Sequence, residues 1–321
     1  MTYLSICSGI EAASVAWKPL GFTPLGFSEI ERFSCAVLQE RFSNVKNYGD
    51  ITQYEKWTGI EAVDIVVGGT PCQSFSIAGK RGGIADARGA LMYAYMGIVG
   101  KYKPRWVVWE NVPGVLSSGN GFDFASFLGG LEKLGYGWAY RVLDSQYFGV
   151  PQRRRRVFVV GHSGNRTDLA AKVLFECEGM RGASFSREKD RQEAPGEAGK
   201  GADGAGGWNV PLTIDTFFSV SEKISGSLLA THSHTPLRVL TGDVVRSVTP
   251  LECERLQGFP DNWTQISYRG KPADECPDTP RYKAIGNSMA VPVMRWIGQR
   301  IKQTEESLGF KPIGFAEEVK E

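Results

Sequence analysis

The sequence predicts an α/β chain: a mixed, mostly parallel sheet layered with helices, plus a smaller, irregular, strand-rich lobe placed before the last helices. Three observations carry that expectation. Apolar runs such as Val63-Asp64-Ile65-Val66-Val67 and Trp106-Val107-Val108-Trp109 are short and nearly continuous, as strands buried on both faces are. Helical patterns alternate with these runs, which is the order of a parallel sheet. After Gly161 that order stops: Arg181 to Gly207 is rich in charge, glycine, alanine and proline, and half of residues 196–207 are glycine. A stretch of this kind cannot bury a core and reads as a flexible insertion.

The elements follow in order. Residues 3–7 read as a first strand, Ser8-Gly9 as a tight turn and Ile10 to Trp17 as a short helix. A strand, a glycine turn and a helix together hold a nucleotide-like cofactor against backbone N–H groups. Thr23 to Ser28 is a second strand ending at Glu29, twenty residues after Gly9. An acid there suits ribose hydroxyls, although Glu29 and Glu31 also suit a helix start. Arg32 to Arg41 is the next helix, and Tyr48-Gly49-Asp50-Ile51 closes a short third strand. Acids ending two successive strands, Glu29 and Asp50, suit a ligand with ribose hydroxyls and an exocyclic amine, and S-adenosylmethionine has both. Gly89 to Gly100 and Phe124 to Leu134 read as helices, Trp138 to Val142 and Val157 to Val160 as strands. Strand fragments are expected at Pro211–Val220, Ser227–Ala230 and Pro236–Leu240. A helix starts at Thr249 with proline in its first position. The amphipathic helix Val291 to Lys302 turns Val291, Met294 and Ile297/Gly298 back onto the first lobe, and the tail after Ser307 is expected to be loosely ordered.

Composition narrows the function. At 321 residues the chain can bury a sizeable core, and 42% hydrophobic with 22% charged residues is ordinary for a soluble globular protein. The apolar region Leu4 to Ala16 is interrupted by Ser5, Ser8, Glu11 and Ser14 and has no basic leader, so neither a signal peptide nor a membrane span is expected, and the cytoplasm is the expected location. Six cysteines without a C-x-x-C pair and three histidines argue against a metal site or disulfides. The net charge of +2 comes from nearly balanced totals, so binding to a polyanion must rest on local clusters. One such cluster is Arg153-Arg154-Arg155-Arg156. It enters the strand Val157–Val160, where alternation sends Arg154 and Arg156 to one side and Arg153 and Arg155 to the other.

The candidate chemistry lies at strand ends. Gly68-Gly69-Thr70-Pro71-Cys72-Gln73 follows the apolar run Val63–Val67, so Cys72 sits where open α/β sheets bind ligands. It reads either as a nucleophile or as a small buried hydrophobe. Trp106–Trp109 delivers Glu110 to the same edge, where burial would raise its pKa and let it donate a proton near neutrality, or where it could instead cap the next helix. The loop Ile77 to Gly89 carries Lys80, Arg81 and Arg88, and a basic loop beside a nucleophile could close over nucleic acid.

Taken together, the chain resembles a DNA cytosine-5 methyltransferase of the bacterial and phage type. The resemblance runs from Ser8-Gly9 through Pro71-Cys72-Gln73, Glu110-Asn111-Val112, Gln152-x-Arg154-x-Arg156 and Arg255-Leu256-Gln257-Gly258-Phe259-Pro260 to Gly286-Asn287-Ser288. It implies a Rossmann-like, class I S-adenosylmethionine-dependent fold. Residues 1–162 and 281–321 would form the catalytic domain and 163–280 the target-recognition domain. Cys72 would attack C6 of cytosine, Glu110 would hold and protonate the N3 edge, and Arg156 would grip O2 with Arg154 in support. Ser8, Gly9, Ile10, Glu29, Ile30, Asp50, Ile51, Pro71, Asn287 and Ser288 would line the donor pocket. Gln73, Ser76, Lys80, Arg81, Arg88 and Gln152 would meet double-stranded DNA, and a monomer would suffice. The chain differs from the family pattern at Glu11 and Ala12, where glycines are common, and at Arg155, where an acid is frequent.

The implied reaction needs this set of groups. C5 of cytosine is too weak a nucleophile to take a methyl group directly, so a thiolate adds at C6 and protonation at N3 makes C5 enamine-like. Loss of the C5 proton then expels Cys72. A free thiol near pKa 8.5 is only about a few per cent thiolate at neutral pH, so Arg154, Arg156 or DNA contacts must assist. The base must also leave the duplex, at roughly a few kcal/mol. An RNA cytosine methyltransferase and a DNA-binding relative with impaired catalysis share much of this pattern. A nicotinamide oxidoreductase does not, because the first turn lacks G-x-G-x-x-G.

Overall fold

Strands that are apolar on both faces need helices on both, and the central sheet is built that way. The computed structural model describes residues 1–70, 90–175, 212–214, 220–221, 238–241 and 244–309. Its main sheet contains β1 (Thr2–Ile6), β2 (Thr23–Ser28), β3 (Ile65–Gly68), β4 (Trp106–Asn111), β5 (Tyr136–Asp144) and β6 (Arg155–Ser163) in the order β2-β1-β3-β4-β6-β5. Neighbouring strands are parallel from β2 to β4, and β6 runs antiparallel to both β4 and β5. Alternate residues feed opposite layers. Tyr3, Ile65, Val67, Trp106 and Val108 pack on one side with α1 (Ala12–Trp17) and the C-terminal helix. Leu4, Val66, Val107 and Trp109 pack on the other, against Tyr95 and Ile98 of α3 (Ala90–Tyr102) and Phe127 and Leu131 of α4 (Phe122–Lys133).

The chain order reverses between β2 and β3, leaving β1 in the middle. That reversal opens a crevice at the carboxyl ends of β1 and β3, where such sheets take their ligands. α2 (Arg32–Arg41) starts on the Glu31 side chain, which accepts from the N–H groups of Phe33 and Ser34.

Two elements differ from expectation. The third strand at Tyr48–Ile51 shrinks to one parallel bridge, Phe27 with Asn47. The Asn47 side chain is the reason: its Oδ1 accepts from the N–H groups of Glu29 and Gly49, each at 3.0 Å, in place of a continuing ladder. Gly49 then turns left-handed at φ 73° and Asp50 starts a 3-10 helix, Ile51–Lys56. The first helix begins at Ala12 rather than Ile10, because Glu11 adopts a left-handed φ of 64° and caps Ser14 N–H with its own side chain.

The smaller sheet is antiparallel, with β7 (Leu212–Ile214), β8 (Val220–Ser221), β9 (Arg238–Thr241) and β10 (Val244–Ser247) in the order β10-β9-β7-β8. The fragment Ser227–Ala230, the insertion Arg181–Gly207 and the tail beyond Gly309 lie outside the described residues. Residues on both sides of position 162 share one core. Leu169 and Val173 of α5 (Thr167–Leu174), and Cys253 of α6 (Pro250–Gln257), lie in the same buried cluster as Val160 and Trp106. α6 carries the expected proline start within a Thr249–Glu252 capping box. α7 (Asp278–Asn287) leads into α8 (Val291–Ser307). No described helix is long and apolar enough to cross a membrane.

α8 seats on the first lobe through Val291, Met294, Ile297 and Ile301, and Trp17 Nε1 donates to Met294 O at 2.7 Å. Gly298 faces the same indole: a Cβ there would overlap Trp17 and lie 2.9 Å from Leu20 Cδ1. Gly298→Ala is therefore expected to destabilise the fold by about 1–3 kcal/mol, despite alanine's better helix propensity. A denaturant midpoint equal to wild type would show that α8 does not seat as described.

Candidate active site

Residues 7–11 make a turn with three left-handed positions, Cys7 at φ 52°, Gly9 at 57° and Glu11 at 64°. The turn is tied down on both sides. Ser8 Oγ donates to Ser5 O at 2.9 Å, and Gly9 N–H donates to Glu29 Oε2 at 2.7 Å. The other Glu29 oxygen accepts from the N–H groups of Ile30 and Glu31 at 2.9 and 2.8 Å, so backbone donors hold this carboxylate at the end of β2. Ile30 beside it is 70% exposed. Asp50 is exposed, and its Oδ1 accepts from Thr52 N–H and Oγ1.

A cleft runs from Ser8 and Gly9 past Gly69 to Glu110, with Asn287 and Ser288 forming part of its wall. Five residues expected at the site thus meet there: Ser8, Gly9, Glu110, Asn287 and Ser288. Ile10 and Ile51 were expected to touch a cofactor, but their side chains are packed into the two core layers. An isoleucine flanking a strand end gains more from the core than from a polar rim.

Glu110 lies near the carboxyl end of β4, and Arg156 enters on the neighbouring strand with its Nε 3.2 Å from Glu110 Oε1. Burial pushes the Glu110 carboxyl up, while Arg156 and then Arg154 pull it down; burial wins. The group is therefore poised to hold a proton further toward neutrality than an ordinary carboxyl. Arginine alternation is as expected, with Arg153 and Arg155 exposed and Arg154 buried. Arg154 has a bracing position: its Nη2 donates to Gly286 O at 3.1 Å and Ser288 O at 2.6 Å, fixing the α7–α8 turn that walls the cleft. Gln257 Nε2 donates to Ile285 O at 3.0 Å in the same turn. Gln152 was expected on the DNA surface, but it is fully buried and its amide donates to Leu256 O at 3.3 Å. The carbonyl of Leu256, near the end of α6, gives the buried amide nitrogen its acceptor.

Two further features without an expected role complete the site. Asn111 Nδ2 donates to Thr70 O at 2.9 Å, and Trp109 Nε1 donates to Thr70 Oγ1 at 3.3 Å. Together they fix the exit of β3, two residues before Cys72. The sequence signal was a polar residue at the end of an apolar strand, which must find a partner when buried. Glu11 is the other, fully enclosed under the turn. Pro71, Cys72, Gln73, Ser76, Lys80, Arg81 and Arg88 lie outside the described residues. Among the described residues no cluster could hold a metal ion.

Gly69 is where backbone meets site. A Cβ there would lie 2.6 Å from Glu110 O and 3.1 Å from Glu110 Oε2. Gly69→Ala is expected to displace Glu110 and lower turnover by about a hundredfold, the scale of a misplacement near 1 Å. Turnover and thermal melting measured together check this; unchanged kcat would mean that Glu110 tolerates the shift.

The sheet order and cleft define a class I S-adenosylmethionine-dependent methyltransferase fold. Solved structures agree: a Schizosaccharomyces pombe Dnmt2 methyltransferase matches with TM-score 0.66 at 17% identity, covering 97% of this chain and 100% of that one. The Entamoeba histolytica methyltransferase EhMeth matches with TM-score 0.63 at 17% identity, covering 96% and 98%. A sequence model described as C-5 cytosine-specific DNA methylase matches residues 1–178 and 171–303, and the chain belongs to that family. A relative from Escherichia phage P1, named a DNA N-6-adenine-methyltransferase, is 35% identical over 94% of this chain, which spans 61% of that relative's length. The type II methyltransferase M.HpaII of Haemophilus parainfluenzae is 28% identical, covering 94% of this chain and 88% of the relative.

Family membership implies S-adenosylmethionine as methyl donor, and the residues fit it. Backbone-held Glu29, the exposed face of Ile30 and the small side chains Ala12 and Ala13 along the cleft offer polar, apolar and steric room in turn.

Proposed function

We propose that this chain transfers a methyl group to C5 of a cytosine flipped out of duplex DNA, through a transient bond between Cys72 Sγ and C6. The observation that carries this reading is the largely enclosed Glu110 carboxyl, paired with Arg156 at the edge where β3 leads toward Cys72. Glu110 donates its proton to N3 as the Cys72 thiolate adds to C6, and the electron pair of the C5–C6 double bond is placed on C5. S-adenosylmethionine, when bound, supplies an electrophilic methyl group. A base then removes the C5 proton, the double bond re-forms, the N3 proton returns to Glu110 and Cys72 leaves as thiolate. Arg156 holds Glu110 in place and offers its guanidinium to O2, while Arg154 keeps the α7–α8 wall in register from behind.

On this reading Gln73, Ser76, Lys80, Arg81 and Arg88 contact DNA, residues 163–280 read its sequence, and the chain acts as a monomer. Transfer to adenine N6, the reaction in the phage relative's name, needs no thiol addition to a ring carbon. That name also describes a protein of which this chain spans only part.

Covalent trapping tests the proposal. Duplex DNA carrying 5-fluorocytosine cannot lose its C5 substituent, so incubation with S-adenosylmethionine should leave an adduct that survives denaturing electrophoresis. Wild type should form it and Cys72→Ala should not. Trapping on 5-fluorocytosine RNA alone would assign the chain to RNA, and no adduct on either would contradict the thiol mechanism.

A further inference from the structure

We propose that Glu11 sets the cleft's preference for the cationic methyl donor over its neutral product, by presenting a buried negative charge that the donor's sulfonium satisfies. The inference rests on the S-adenosylmethionine reading of the cleft and adds a residue to it at a position where glycine is common in the family pattern.

Glu11 is 1% exposed and lines the cleft together with Ser8, Gly9 and Glu110. Its left-handed backbone folds the side chain back under the turn. There Ser5 Oγ donates to Oε1, and Ser14 N–H (3.1 Å) and Ser14 Oγ donate to Oε2. Three donors on a group that is acceptor-only when ionised favour the carboxylate, whereas burial favours the acid. Burial is the stronger influence, and the carboxyl is pushed up to about 7. No described cation stands at ion-pair distance to relieve it.

The charged and titratable neighbours do not supply that relief. From β1 and the turn after it come Tyr3 and Cys7, both pushed up by burial, the thiol to about 12, so both are neutral near pH 7. Glu29 at the end of β2 is a like charge. Glu110 from β4 has its own partner in Arg156. The α7–α8 turn presents Asn287, Ser288 and Met289, none of which carries charge.

Methyl transfer changes the ligand by one charge. The S–CH3 bond breaks, its electron pair stays on sulfur, and the sulfonium becomes a neutral thioether. A carboxylate in a low-dielectric cleft favours the first form over the second. By linkage, binding the donor drives a proton off Glu11 and binding the product does not.

Titration calorimetry in two buffers of different ionisation enthalpy counts that proton. At pH 7, wild type should release about half a proton per S-adenosylmethionine bound, the fraction set by a carboxyl near that pH, and almost none with S-adenosylhomocysteine. Glu11→Gln should abolish the release and narrow the donor-to-product affinity ratio by roughly fivefold. Each ligand's own ammonium titrates alike in both proteins, so the difference isolates Glu11. Ser5→Ala removes one donor from the carboxylate and should move half-release to higher pH, which a purely structural serine would not do. Equal release in wild type and Glu11→Gln, or an unmoved midpoint in Ser5→Ala, would overturn the proposal while leaving the donor site standing. Failure of wild type to bind S-adenosylmethionine would overturn both.

Discussion

Glu110→Gln is expected to lower kcat for methyl transfer by about two to four orders of magnitude, the range lost with a positioned general acid. Glutamine keeps the size of the side chain and can still hydrogen-bond Arg156, so the fold should remain. It cannot deliver a proton to N3, and the adduct then forms without the electron shift that makes C5 nucleophilic. DNA binding and thermal melting should change little. The pH profile adds a sign: in the proposed mechanism Glu110 acts in its acid form, so turnover limited by that step should fall as pH rises through its raised pKa. A variant with near wild-type kcat would show that N3 is protonated by another group.

The largest expected loss of stability comes from Glu254 of α6. Its carboxylate is fully buried, and Oε1 accepts from Thr264 N–H at 2.8 Å, Thr264 Oγ1 and Arg281 Nη2 at 3.3 Å. Arg281 is buried too, and its Nε donates to Thr264 Oγ1 at 3.0 Å. Glu254→Ala leaves that guanidinium enclosed with only Asp278 as a charged partner, at 3.5 Å. The expected cost is about 3–5 kcal/mol, as for a buried pair broken on one side. Chemical denaturation measures it. Replacing Glu254 and Arg281 together by methionine should cost less than either single change, because neither charge is then stranded. A double variant as unstable as the sum of the singles would mean the pair acts through packing alone.

Those two sites differ in how legible they were. Glu110 could be read from the sequence, because an acid directly after a strand as apolar as Trp106–Trp109 can only fall at its carboxyl end. The four arginines were legible for a similar reason: strand alternation alone separates buried Arg154 from exposed Arg153 and Arg155. The helix at Pro250 announced itself through local chemistry, a threonine cap followed by proline. By contrast, the Glu254–Arg281 pair joins residues on different helices, and no local pattern reports it.

The misplaced elements share a cause. Tyr48–Ile51 has strand composition, but Asn47 spends its side chain on the backbone of Glu29 and Gly49, and the ladder stops after one bridge. Ile10 and Ile51 lie next to site residues in sequence, yet their side chains follow the hydrophobic gradient inward. Gln152 likewise faces in toward Leu256 O, a partner supplied by tertiary packing. Glu11 stood out in the sequence only as a departure from glycine. Its burial and its three donors became visible once β1 and α1 were placed around it.

The most direct measurement is bisulfite sequencing of unmethylated duplex DNA after incubation with S-adenosylmethionine and either wild type or Cys72→Ala. Cytosines protected from conversion within a recurring sequence, in the wild-type reaction alone, are the predicted result. Full conversion in both reactions, under conditions where the wild type binds the donor, would contradict DNA cytosine methylation by this chain.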